Sequence, residues 1–377
     1  MVRQDRLLSE FAKLVSFDSE SFHESRIKEY LKDALENLGL TVTEDGAASA
    51  LRSIGAEAGN LYGFLPGTRA GEPLMFCAHM DTVSPGVGKK AVFHPDGRIT
   101  SDGSTVLGAD DAAGLAAILE ALRVIREKAL PHPDIEVLFP AAEEPYCRGT
   151  SVFDFCQVRA KTAYVLDLTG PVGTAAVQAP SILSLDITVK GRAAHAGFSP
   201  EEGINALSIA ARALSSLPTG HAESDTTVNF GTIQGGTGKN IVPEKVFIRG
   251  EIRSLRHEAA LRQADLVREA FDREAAALGG AAETVVTEEI RAYCIEKDEY
   301  PVVRLTGAME RLGMGAPTLI TTFGGSDNNR FAANGIRGVV LACAMFDVHT
   351  VHEYTETEQL VKSAELVTEL MTMEDAL

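Results

Sequence analysis

The chain has 377 residues, is 45% hydrophobic and 23% charged, and carries a formal net charge of −18. That length suits a large core and two domains, and the composition is ordinary for a globular protein. The acidic balance argues against nucleic acid and against an anionic membrane as partners, because both need a basic surface. The first residues, MVRQDRLLSEFAKLV, hold no apolar stretch long enough for a signal peptide, and no later segment approaches the ~20 apolar residues of a membrane span. Five cysteines (Cys77, Cys147, Cys156, Cys294, Cys343) with no CxxC spacing fit thiols in a reducing cytoplasm. Cys147, three residues past Glu144, reads as packing.

In chain order, residues 5–17 read as a helix. A second spans Phe22 to Leu38, with a Ser21/Glu24 capping-box pattern, a stripe of Ile27, Leu31, Leu35 and Leu38, and Gly39 as its stop. Strands are expected at Leu61–Leu65, at the run ending in His79, at Ile135–Phe139, at Ala163–Leu168 and at Val339–Ala344. A helix follows Asp110, with Leu115, Ile118, Leu119, Leu122 and Ile125 on one face. Apolar strands alternating with helices predict a mostly parallel sheet flanked by helices, which binds ligands beyond the carboxyl ends of its strands. The middle differs. Strands at Ile182–Lys190, Thr227–Ile233, Lys245–Arg253 and Glu283–Tyr293 and helices at Ile204–Leu217 and His257–Leu278 follow the order β-α-β-β-α-β, that of a ferredoxin-like α+β sandwich. The expected division is a catalytic α/β domain made of 1–176 and 294–377, with 177–293 inserted as a lid or dimerisation domain.

Five separated clusters carry metal-type ligands: His79 with Asp81, Asp110-Asp111, Glu143-Glu144, Asp167, and His349 with His352. Imidazoles and carboxylates at strand ends suit a two-metal hydrolase, with zinc, cobalt or manganese as the ion. His79 and Asp81 point to one face of an extended segment, so Asp81 can accept the ring N–H turned away from a metal. Asp110 can read as a helix N-cap, but two adjacent acids after Gly108 exceed what a cap requires, and a carboxylate there can bridge two cations. Vicinal Glu143 and Glu144 repel unless a cation or proton compensates, and one can bind metal while the other serves as general base. Asp167 is a charge on a central strand and therefore a ligand candidate. The sequence leaves both late histidines open. His352 is favoured because a Glu and an acidic helix start follow it. GGTGKN lacks the spacing of a phosphate-binding loop, and Ser326 in FGGSDNN has no glycine two residues on, so it is no nucleophile elbow.

Taken together, AHMDT, ITSDGSTVLGADDAAG, the Glu pair and the late HxxHE resemble the co-catalytic zinc exopeptidase and aminoacylase family, in its peptidase T-like branch, over nearly the whole chain. Ala112 departs from the lysine usual after the two Asp residues there. The resemblance implies that His79 and Asp167 hold one zinc ion, Glu144 and His352 the other, and Asp110 both, with a cis peptide to Asp111. It implies Glu143 as general base, Asp81 as the residue orienting His79, and His195 as the stabiliser of the tetrahedral intermediate, often across a homodimer. Asn240 and Arg253 would hold the substrate carboxylate, and Gly325 and Ser326 would line the pocket. The implied activity is that of an aminopeptidase on di- or tripeptides. The alternatives are a carboxypeptidase or N-acyl amino acid amidohydrolase, and, in another class, an inactive binding or scaffold protein.

Overall fold

The structure, a computed structural model, describes residues 1–374. Two compact units emerge: Met1–Val177 with Cys294–Thr321 and the described residues from Ser326 onward, and Gln178–Tyr293 with Thr322–Gly325.

The first unit is built on a mixed sheet. Its centre runs Ile135–Phe139, Leu74–Cys77, Thr162–Thr169, Arg337–Met345, all mutually parallel. Leu61–Leu65 and Thr41–Glu44 extend one side antiparallel, and Thr174–Ala179 pairs antiparallel with Arg337–Met345. Every residue of Leu74–Cys77 and Ile135–Phe139 is buried, as strands covered on both faces require. The helix Ala109–Lys128 is buried almost all round rather than on one stripe, because helices Gln4–Val15 and Thr357–Thr372 pack against it as well as the sheet. Its first turn is irregular. Asp110 and Asp111 have non-helical backbone angles, and the peptide between them is cis. Among the described residues, no helix is long and apolar enough to cross a membrane.

Two expectations change. The Ser21/Glu24 capping box does not form: the helix begins at Ser25, and Ser21 instead donates to Asp81 while Glu24 accepts from the Phe22 and Ala142 amides. The last expected strand of the middle region ends earlier, at Ile290, and Tyr293–Cys294 is a separate short strand.

The second unit is a five-stranded antiparallel sheet ordered Gly220–Glu223, Thr226–Gly235, Lys245–Ser254, Ser181–Lys190, Ala281–Ile290. Alternation along Ser181–Lys190 sends Leu183, Leu185, Ile187 and Val189 to one side, where Ile209 and Ala213 of Ala206–Ser215 and Val267 and Phe271 of His257–Ala277 complete a core. This is the ferredoxin-like plan, with Gly220–Glu223 added at an edge.

Candidate active site

The parallel strands deliver the site residues at their carboxyl ends. His79 lies two residues past Cys77, Asp167 near the end of Thr162–Thr169, Glu143 four residues past Phe139, and His349 four past Met345. His79 is buried, and its Nδ1 lies 2.9 Å from the main-chain oxygen of Asp81 and 3.4 Å from the Asp81 carboxylate. These acceptors hold the proton on Nδ1 and turn Nε2 toward Asp110 Oδ1 at 3.0 Å and Asp167 Oδ1 at 3.8 Å. Asp81 also accepts from the Ser21 hydroxyl (2.7 Å) and from the Glu143 and Glu144 amides (2.9 and 3.2 Å). One buried carboxylate thus orients a ring and the turn bearing the two glutamates.

The segment after Met345 decides between the two histidines. Phe346 and Tyr354 exchange two main-chain hydrogen bonds of 3.0 Å and stack their rings at 4.9 Å, closing the neck of a loop. Asp347 and His349 take left-handed backbone angles within it. That turn brings His349 Nε2 to 3.2 Å from Asp110 Oδ2 and 3.1 Å from Glu144 Oε2. His352, the expected ligand, is exposed on the far limb, where its amide donates to Thr350 Oγ1. His349 therefore stands where His352 was expected. Spacing alone missed this because a loop reversal, not periodicity, aims the ring.

The charges are crowded. Burial pushes the carboxyls of Glu143, Asp167 and Asp111 well above the usual range, with neighbouring carboxylates adding to it. Burial also opposes ionisation of Asp110, but the His349 and His79 rings outweigh it and hold that carboxyl below the usual range. Asp110 and Glu144 push the His349 imidazole up to about 10. Glu144 Oε1 is buried without a hydrogen-bond partner. Ligand atoms of His79, Asp110 and Glu144 lie within 4.8 Å of one another, as do those of His79, Glu143 and Asp167. Excess buried carboxylate, an orphaned oxygen and two imidazoles fit divalent cations. Cys147, read from the sequence as packing, places its Sγ 3.3 Å from Glu143 Oε1.

The remaining expected residues separate. His195, exposed in the second unit, stacks on Phe198 at 4.1 Å, and its Nδ1 accepts the Gly197 and Phe198 amides at 3.1 Å each. Asn240 is its neighbour through the Ala196 amide, which donates to the Asn240 carbonyl. Arg253 is already bidentate on Glu251 (2.8 and 3.1 Å) and donates to the Phe323 carbonyl. Gly325 sits against Ile290, whose Cδ1 would lie 2.1 Å from an added Cβ. Ser326, expected in the pocket, is instead a buried N-cap: its hydroxyl accepts from the Asn328 amide and its own amide donates to Asn329. DNN after Ser326 was the available signal, as it is a capping sequence.

Comparison with known proteins identifies the family. Residues 178–278 match the peptidase dimerisation domain and residues 60–178 match peptidase family M28. The structure of aminopeptidase PepT from Bacillus cereus ATCC 10987 is 40% identical, with a TM-score of 0.90 and 98% of both chains covered. A tripeptidase from Staphylococcus aureus is 35% identical at a TM-score of 0.93, over 99% of this chain and 98% of that one. The uncharacterized protein YqjE of Bacillus subtilis (strain 168) is 39% identical over 367 residues, which cover 97% of this chain and 98% of YqjE. With identity of this degree running from end to end, the protein belongs to the peptidase T-like branch of the co-catalytic exopeptidase and aminoacylase family of metal-dependent hydrolases.

Proposed function

We propose that the protein is a two-metal aminopeptidase that releases the N-terminal residue of di- and tripeptides. The observation that carries this reading is Asp110, whose two oxygens face two different histidines, His79 and His349. In this assignment His79 and Asp167 hold one ion, Glu144 and His349 the other, and Asp110 both. Zinc suits these donors, as do cobalt and manganese. When bound, the ions supply Lewis acidity and lower the pKa of water.

The chain's own groups do the rest. Glu143, oriented through its amide by Asp81 and through Oε1 by the Cys147 thiol, takes a proton from the attacking water and returns it to the leaving amine. His195 donates from Nε2 to the developing oxyanion, because Nδ1 is occupied as an acceptor of two amides. Asn240 and Arg253 are assigned to the substrate's carboxylate and Gly325 to the pocket lining; Arg253 spends three of its five N–H groups on Glu251 and Phe323. The inserted unit is assigned to closure and to homodimerisation, a role supported by its match to the dimerisation domain. A cytoplasmic site of action completes the reading.

The test is a peptide panel with free and blocked termini, assayed on chelator-stripped and re-metallated protein. Cleavage of free di- and tripeptides that is lost on N-acetylation is expected. Preference for N-blocked substrates would assign a carboxypeptidase or N-acyl amidohydrolase instead. No turnover of any substrate with two ions bound would leave a binding protein.

A further inference from the structure

Glu353 is buried at 1% exposure and belongs neither to the metal-type ligands nor to the proton path. Its carboxylate accepts two main-chain amides of another segment: Gly108 at 2.7 Å on Oε2 and Asp110 at 2.9 Å on Oε1. It lies four residues after His349, in the limb that returns from the loop into the strand Tyr354–Glu356, and that strand pairs with Arg98–Thr100. One side chain therefore ties the histidine loop to the turn bearing Asp110. The turn is shaped to receive it. Gly108 takes a left-handed φ of 74°, and an added Cβ would come within 2.9 Å of Lys89 Cε. Lys89 is itself 3% exposed, contacts Ser19 Oγ at 3.4 Å, and lies in the field of Asp18, Glu353, Glu20 and Asp81. A buried carboxylate that accepts two amides is compensated by those hydrogen bonds, and Glu353 is not exposed enough to serve solubility.

We propose that Glu353 is a positioning residue for the metal pair, gripping the Gly108 and Asp110 amides so that the two oxygens of Asp110 stay aimed at the His79 and His349 sides. The inference rests on the two-metal reading. It gives the late HxxHE sequence two separate duties: His349 as a donor to the ion, and Glu353 as the clamp on the carboxylate shared by both ions. Loss of a group that orients a ligand typically weakens metal binding ~10–100-fold. Because the oriented ligand is shared, both ions are affected together. A loop staple of purely structural role would lower thermal stability and leave ion affinity in the folded protein unchanged.

The experiment titrates Zn²⁺, against a competing chelator, into the chelator-stripped full chain of wild type, Glu353→Gln and Glu353→Asp, with the melting temperature of each stripped protein measured alongside. Glu353→Gln sets an amide N–H₂ against one of the two donors, and both ions should bind ~10–100-fold more weakly. Glu353→Asp keeps the charge but is one methylene shorter, and an intermediate loss is expected. His352→Ala, on the same loop, should bind as wild type does. Two ions held by folded Glu353→Gln with wild-type affinity would overturn the proposal, and so would wild-type affinity in Glu353→Asp if the Gln variant does not fold. Failure of the wild type itself to take up two ions would sink the two-metal reading and this inference with it, so the two failures are told apart.

Discussion

His349 and His352 sit three residues apart on one loop, yet only His349 meets the carboxylates of Asp110 and Glu144. A metal count on His349→Ala and His352→Ala should separate them. The first should lose one ion and nearly all turnover, and the second should keep both. Equal loss in both would return His352 to the site. For Glu143→Ala, two ions should remain while turnover falls by ~10²–10⁴-fold, the usual contribution of a general base. Depletion of one ion in that variant, with both kept in Glu144→Ala, would reverse the roles of the pair. At this scale the sequence was legible in kind. The five clusters were visible because acids and histidines at the ends of apolar strands are costly to bury unless a cation or a proton compensates them. Which histidine, which auxiliary thiol and which clamp were not visible. His349, Cys147 and Glu353 acquire their roles from a loop neck, a left-handed turn and a main-chain contact 243 residues away in sequence.

The helix Ala109–Lys128 shows what periodicity can and cannot deliver at the scale of elements. Its apolar stripe of Leu115, Ile118, Leu119, Leu122 and Ile125 announced a helix on a sheet, and those residues are all buried. The stripe gave no warning that the opposite face is covered as well. Glu120 lies on that covered side at 0% exposure, where it accepts Arg6 Nε at 2.7 Å, Arg6 Nη2 at 2.8 Å and the Arg3 amide at 2.9 Å. An acid inside a buried helix is tolerated only when paired, so Arg6 pins the first helix to the central one. The helices Tyr300–Arg311 and Thr357–Thr372 were not among the expected elements; in the first, Pro301, Gly307 and the β-branched Val302, Val303 and Thr306 dilute the apolar stripe. Arg6→Met should cost ~3 kcal/mol in urea unfolding, mostly from stranding the Glu120 charge. Adding Glu120→Leu should recover part of that loss, since the uncompensated charge is then gone. A double variant no more stable than the single one would mean that the pair acts through geometry rather than charge.

The molecule divides into two units whose sequences differ in rhythm: fully apolar runs in the first, alternation along Ser181–Lys190 in the second. The proposed chemistry divides between them. Every proposed metal ligand belongs to the first unit, whereas His195 belongs to the second, exposed, stacked on a Phe198 that is itself 86% exposed, with Nδ1 engaged by two amides. A donor whose value arises only as charge develops on the substrate oxygen lowers kcat more than it raises KM. His195→Ala should therefore keep its ions and fold and lose on the order of 10²–10³ in kcat, the usual worth of one oxyanion donor. The dimerisation-domain match adds a sharper test, because a second unit supplied by a neighbouring chain would let two defective proteins complement each other. Mixed with Glu143→Ala under conditions of subunit exchange, His195→Ala should regain activity, since a hybrid dimer holds one site with both Glu143 and His195 intact. Exchange demonstrated by mass spectrometry without any regained activity would confine His195 to its own chain. Full activity of His195→Ala alone would make it a surface histidine held by a turn.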